Sequence, residues 1–462
     1  MDFQMVAFDG DDDIAIDNDN DSEINLSDSV PTAPSPSLSG CEIEMEEGPD
    51  ALSMPTSTSV PVTLDQLPAE IHEAILDHLF GYRVSTASKS LMSMHCVTKS
   101  WGTVLRHSRR KELSELALVS PVWRYLIQQR LYRHIKIGAT VESIEQALNF
   151  FARHRHLQSY VKHIELWFPV FQRTHSLIAA TDRRANPVHG FPTYALTMGK
   201  CTLSEVFAFI RTVLPSVRVL TLEGGERRKA PKVLHFLQSA ARSLTPLNTV
   251  QILVTKGQWN LMRETQDFEA VLSALPNLQE WHGSYSRPKS KSYLSMSTFL
   301  PKLPSTLTQL HLCLEGEYKR ELACPRFFRK VSDRIHFCAI LAAAAPALEQ
   351  FSYTGRLCKT FFDTLAVNVD PRTVRLRSIN IIARNICRPA NVSESGCGIQ
   401  DLNFIHAFEM LVLGGIRSLS RLPALEYLRI RYIDLGAFLL FSFSIQDVGG
   451  DYNSHALTPY HP

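Results

Sequence analysis

Between residues 138 and 462 one hydrophobic pattern recurs: an amphipathic helix, a Leu-Pro or Ala-Pro punctuation, then a short apolar strand. The strand phrases run over 161–167, 214–222, 247–254, 275–281, 303–314, 345–351 and 422–430. Between them lie helix candidates with apolar residues three and four apart. Ile144, Ala147, Leu148 and Phe151 mark one, and Val206, Phe209, Ile210 and Val213 a second. Leu234, Leu237, Ala240 and Ala241 mark a third, and Phe268, Val271, Leu272 and Leu275 a fourth. From residue 214 to 303 the phrases follow one another at about thirty residues, a period at which a strand and a helix cannot cover their own apolar face. Stacked units sharing one core answer that need; an ordinary α/β domain with alternating elements gives a similar pattern.

Residues 64–137 read differently. From Leu64 to Leu79, Pro68 suits a first helical position, and Ile71, Ala74, Ile75, His78 and Leu79 fall on one stripe interrupted only by His78. Further on, Ser120 followed by Pro121 marks a helix start, a capping hydroxyl before a residue with φ already set. Trp123, Leu126, Ile127 and Arg130 line one face of that helix, and Leu131 to Ile137 then alternates as a chain entering a strand would.

Two phrases give this block a specific resemblance. L-P-x-E-I-x-x-x-I-x-x-x-L at Leu67–Leu79, followed by L-V-S-x-x-W at Leu118–Trp123, resembles an F-box. The run Leu131-Tyr-Arg-His-Ile135 is similar to the junction of fungal F-box proteins that continue into leucine-rich repeats, and Leu422–Ile430 reads L-x-x-L-x-x-L-x-I. The asparagine or cysteine that closes a leucine-rich repeat is missing from most copies. Val97-Thr-Lys-Ser-Trp101 is a second tryptophan phrase; the spacing to Leu131–Ile135 favours 119–123, leaving 81–112 as a basic insertion. The expected fold is therefore α/β: a three-helix F-box module over 64–137, then an irregular leucine-rich-repeat-like solenoid over 138–462. The resemblance implies a non-enzymatic receptor that binds a Skp-family adaptor, joins a cullin–RING ubiquitin ligase and presents a target protein. Its adaptor anchors would be Leu67, Pro68, Ile71, Ile75, Leu79, Val119, Trp123 and Leu126. The core of a three-helix bundle explains the same stripe; Leu79 and Leu126 read better as core, Leu67, Pro68 and Ile71 as interface. A repeat scaffold with no ligase role is the alternative.

Charge sharpens the division. Residues 1–63 hold fifteen acidic residues and no Lys or Arg; subtracting them from 46 leaves 31 acids against 48 bases. That acidic segment, rich in Ser, Pro and Thr, reads as a disordered tail, and the basic remainder suits an acidic partner or the tail itself. The basic clusters Arg106–Lys111, Glu226–Lys232 and Arg287–Lys291 lack interleaved aromatics and read as solvated loops, with no nucleic acid expected. Nine scattered cysteines form no C-x-x-C pair, which suits reduced thiols in the cytoplasm or nucleus. No apolar run is long enough for a membrane helix. None of the seventeen histidines stands in a metal-binding pair four apart, and no phosphate-binding loop or nucleophile elbow occurs. No catalytic residue, metal or cofactor is expected.

Overall fold

The computed structural model describes residues 66–80, 104–107, 109–169, 171–174, 193–196, 199–224, 232–236, 243–285, 289–315, 331, 333–387, 402–434 and 439–446. The acidic tail, the 97–101 phrase, most of the basic insertion and the 237–241 part of the third helix candidate lie outside them. Among the described residues three helices come first: α1 (Ala69–Phe80), α2 (Arg110–Leu116) and α3 (Pro121–Tyr132). Strands and helices then alternate: β1 (His134–Gly138), α4 (Val141–Arg153), α5 (Arg155–Gln158) and β2 (His163–Trp167). A small antiparallel pair, β3 (Phe171–Thr174) with β4 (Thr193–Leu196), is followed by α6 (Leu203–Val213) and β5 (Val219–Glu223). Next come β6 (Ile252–Lys256), α7 (Gln258–Leu261), α8 (Thr265–Ser273), β7 (Glu280–Ser284), α9 (Lys289–Phe299) and β8 (Gln309–Cys313). The last are α10 (Phe337–Ala344), β9 (Gln350–Leu357), α11 (Thr360–Asn368), β10 (Ser378–Ile386), α12 (Leu402–Ser418), β11 (Tyr427–Asp434) and β12 (Leu439–Gln446).

Ten strands form one sheet in the order β1-β2-β5-β6-β7-β8-β9-β10-β11-β12, and every pair is parallel except β11 with β12. Each strand of this sheet lies beside the sheet strand before it in sequence. Alternation along the strands sorts side chains onto two faces. Ile135, Ile164, Leu220, Leu253, Trp281, Leu310, Phe351, Ile379 and Leu428 stand in one row across nine strands, and all are buried. The helices lay their apolar sides on the same core, among them Phe151 of α4, Phe207 of α6, Phe268 of α8 and Phe361 of α11. Ile144, Ala147 and Phe151 are inside as their spacing predicts, whereas Leu148 stays exposed, as does Leu234 of the third candidate.

The Leu-Pro and Ala-Pro phrases turn the chain into each strand by a repeated backbone device. An apolar residue donates its N–H to the carbonyl three residues before it: Val217 to Leu214, Val250 to Leu247, Leu278 to Leu275, Leu348 to Ala345 and Leu425 to Leu422. The N–H groups of the two residues that follow then converge on a single carbonyl of the preceding unit. Arg218 and Val219 share Lys162 O, and Gln251 and Ile252 share Arg218 O, while Lys162 and His163 share Arg133 O at the start of the series. The same relation links Gln279 and Glu280 to Gln251 O, Thr308 and Gln309 to Gln279 O, and Glu349 and Gln350 to Thr308 O. It continues with Arg377 and Ser378 on Glu349 O, and Glu426 and Tyr427 on Arg377 O. Backbone carbonyls thus form a ladder through the body and satisfy groups that a buried turn would otherwise leave unpaired.

Among the described residues the buried interior of the helical block is continuous with that of the sheet. Leu76, Leu113, Trp123, Leu126, Ile127 and Leu131 belong to the same buried cluster as the sheet. The boundary expected at 137 falls inside β1, which pairs with β2, and Leu105 bridges to Ile135.

Candidate functional site

Helix α1 begins where Pro68 O accepts from the N–H groups of Ile71 and His72, so Pro68 stands one residue outside the helix. Ser120 caps α3 as its type predicts, its Oγ accepting from the Trp123 N–H at 3.2 Å. Helix α1 lies on α3 through a face centred on His72 and Leu76, both fully buried. Trp123 Nε1–H donates to His72 Nδ1 at 2.9 Å, which places the imidazole proton on Nε2. Arg130 of α3 pairs with Asp77 and donates to Glu73 O, and the Arg109 guanidinium donates to Leu79 O. These bonds fix the rotation of α1 and send its apolar stripe outward.

The expected anchors therefore divide. Ile71 is 46% exposed, Leu79 48% and Val119 60%, beside Leu118 at 77%. Pro68 is exposed, while Leu67 and Ile75 are half-buried, Ile75 against the core. Trp123 and Leu126, by contrast, are buried. Leu126 is core, as its position suggested, but Leu79, also expected inside, faces out. Periodicity defines a stripe without saying which side a neighbour takes. Here a histidine–tryptophan bond takes the adjacent side.

The outer face of the sheet carries side chains in register, polar on every strand of the row but β6. Lys136, Glu165, Thr221, Val254, His282, His311, Ser352, Asn380 and Arg429 stand in one row. Near β1 this face is closed by ion pairs. Glu165 meets Lys256 at 3.0 Å and Arg106 at 3.3 Å, and Lys136 meets Glu223 at 2.7 Å. Burial alone would raise the Glu165 carboxyl, but Lys136, Lys256 and Arg106 outweigh it and hold it below the usual range. His134 and His163 stack at 3.8 Å, and His163 Nε2 is hydrogen-bonded to Thr221 Oγ1 at 2.8 Å. Burial pushes His134 down to about 4 and His163 to about 3, the second helped by its neighbour. Several residues of the basic clusters are engaged within the chain: Arg109 with Glu112, Lys232 with Asp267, and Lys291 over the Trp259 ring.

Among the described residues two groups of side chains have metal-ligand chemistry that the spacing of neighbours in sequence did not reveal. On β7 and β8, His282 and His311 stack at 4.3 Å beside Glu280, which accepts a hydrogen bond from His282. That bond, then the two imidazoles, lower the Glu280 carboxyl against the effect of burial, and burial brings His311 to about 4. At the ends of β9 and β10, His336, Cys338, Cys358 and Cys387 converge. Contacts with Cys338 and Cys387 hold the Cys358 thiol low, while contacts with Cys358 and Cys387, together with burial, raise Cys338.

No protein-family model matches the chain, and no curated protein matches it significantly. Among the described residues no helix is long and apolar enough to cross a membrane.

Proposed function

We propose that the chain is an F-box substrate receptor, with α1 and the α2–α3 turn docking a Skp-family adaptor of a cullin–RING ubiquitin ligase. The observation that carries this reading is the outward apolar stripe. Ile71, Leu79, Leu118 and Val119 face solvent in a block that already has a buried interior. Large exposed apolar side chains of this kind suit helix-in-groove recognition. Each, once covered, contributes about 1.5–3 kcal/mol before the costs of association. Pro68 is exposed at the start of the stripe, and the exposed acids Glu70 and Glu73 of α1 supply the polar surround.

The sheet is a leucine-rich-repeat-like solenoid in this reading. Strands that follow sequence order, helices covering one row and a carbonyl ladder in place of an asparagine ladder support it. Its polar face would hold a target protein, and the receptor would act by raising the target's effective concentration near the ligase.

The test is capture of a purified Skp-family adaptor by the full chain, beside an Ile71→Asp, Pro68→Ala double variant. Binding by the parent, lost in a variant with unchanged melting temperature, is the expected result. A folded parent that captures no adaptor removes the ligase role and leaves a repeat scaffold.

A further inference from the structure

We infer that His336, Cys338, Cys358 and Cys387 form a structural zinc site. His336 precedes α10 and Cys338 lies in its first turn; Cys358 and Cys387 directly follow β9 and β10. The four come together because successive strands lie side by side, so the ends of two neighbouring units and the helix that covers them meet at one rim. Their donor atoms all lie within 4.8 Å of one another, and His336 Nε2 is 3.3 Å from Cys358 Sγ. A tetrahedral ion with Zn–S of about 2.3 Å sets its ligands roughly 3.8 Å apart, so small side-chain movements close the set around one ion. The space suits a single ion rather than a multinuclear cluster.

The donor types choose the metal. Three thiolates and an imidazole form a soft, four-donor set of the kind that holds structural zinc, with no position left for water or substrate. Cys338 and Cys387 are buried, while His336 and Cys358 are half-buried, which gives the ion a way in. The ion would tie α10, β9 and β10 together and join consecutive units of the sheet independently of any partner bound at α1.

Zinc content of the full-length protein, made in zinc-supplemented medium and desalted, tests the assignment. One tightly held zinc per chain is expected, lost in Cys358→Ser and kept in Cys201→Ser, whose buried thiol lies outside the cluster. The parent protein loaded with cobalt supplies a readout that does not depend on any variant folding. Intense visible bands of a tetrahedral ion with thiolate charge transfer are expected. A folded parent that holds no zinc, an octahedral cobalt spectrum, zinc retained by Cys358→Ser, or an intact mass showing a disulfide among the three cysteines overturns the inference.

Discussion

The helical block and the sheet body differ in what they leave in water. In the body, apolar rows go inside and the outward face is polar, with charges paired across strands. In the block, His72 goes inside and the apolar stripe of α1 stays outside. A surface that leaves Ile71 and Leu79 in water while enclosing an imidazole is poorly explained by stability alone. It is the arrangement expected where an apolar face is kept for something else to cover.

The largest break in that comparison should come from the body. Trp281 is fully buried, packs beside Phe268, and its Nε1–H donates to Thr255 Oγ1 at 3.1 Å. Trp281→Ala should cost about 3–5 kcal/mol through the cavity and the lost contacts. Denaturant unfolding measures it, and a loss below about 1.5 kcal/mol, on the order of a conservative swap, would mean the rows are not close-packed. Ile71→Asp, at an exposed site, should shift stability by no more than about 0.5 kcal/mol. Equal losses at the two positions would show that α1 is covered within the chain and remove the contrast.

Trp123→Phe examines the inside of the block. It keeps most of the packing but leaves His72 Nδ1 buried without its donor, a cost of about 1–3 kcal/mol. His72→Phe in the same background should recover part of that loss, because no polar atom then remains to be satisfied. Independent losses for the two substitutions would show that the bond does not set the rotation of α1.

What could be read in advance follows from how local each signal is. Each of the seven apolar phrases runs into a strand, because the turn and the alternation after it lie within one short stretch. β10 escaped the reading: Val374-Arg-Leu-Arg377 precedes it without the Leu-Pro punctuation. The β3–β4 pair was missed as well. The apolar stripe of α1 was legible as a stripe, but its outward direction depends on His72 meeting Trp123, fifty-one residues away. The cysteines were beyond reach for the same reason. Cys338, Cys358 and Cys387 become neighbours only when β9 and β10 stack, and no motif of adjacent residues records that.

Acid should weaken the body. His134, His163 and His311 have folded pKa values of about 4, 3 and 4, below the ordinary 6.5. Between those values and 6.5 the unfolded chain binds more protons, so stability falls as pH falls. The contribution is complete above about 6.5 and declines towards pH 4 and 3. Glu165, held low by its cations, adds a loss in the same direction below the usual carboxylate range. Melting temperature should therefore decrease from about pH 7 to about pH 4. His134→Gln with His163→Gln should flatten the upper part of that decline. An unchanged slope in the double variant would place the titrating groups elsewhere.

The smallest effect is expected where a side chain decorates the carbonyl ladder without forming it. Arg377 pairs with Glu426 at 3.3 Å, but both side chains are more than half exposed. Water screens such a pair, and about 0–1 kcal/mol is the ordinary range for one at a surface. The backbone of the same residue has the structural part: Arg377 N donates to Glu349 O, and Arg377 O receives both Glu426 N and Tyr427 N. Arg377→Ala keeps every one of those bonds, so its cost should remain within that range and diminish with added salt. A larger loss, indifferent to salt, would mean that the side chain and not the carbonyl joins these units. The varied residues at the equivalent positions, among them Lys162, Gln251, Thr308 and Glu349, argue for the carbonyl, because the main-chain oxygen is the only acceptor they share.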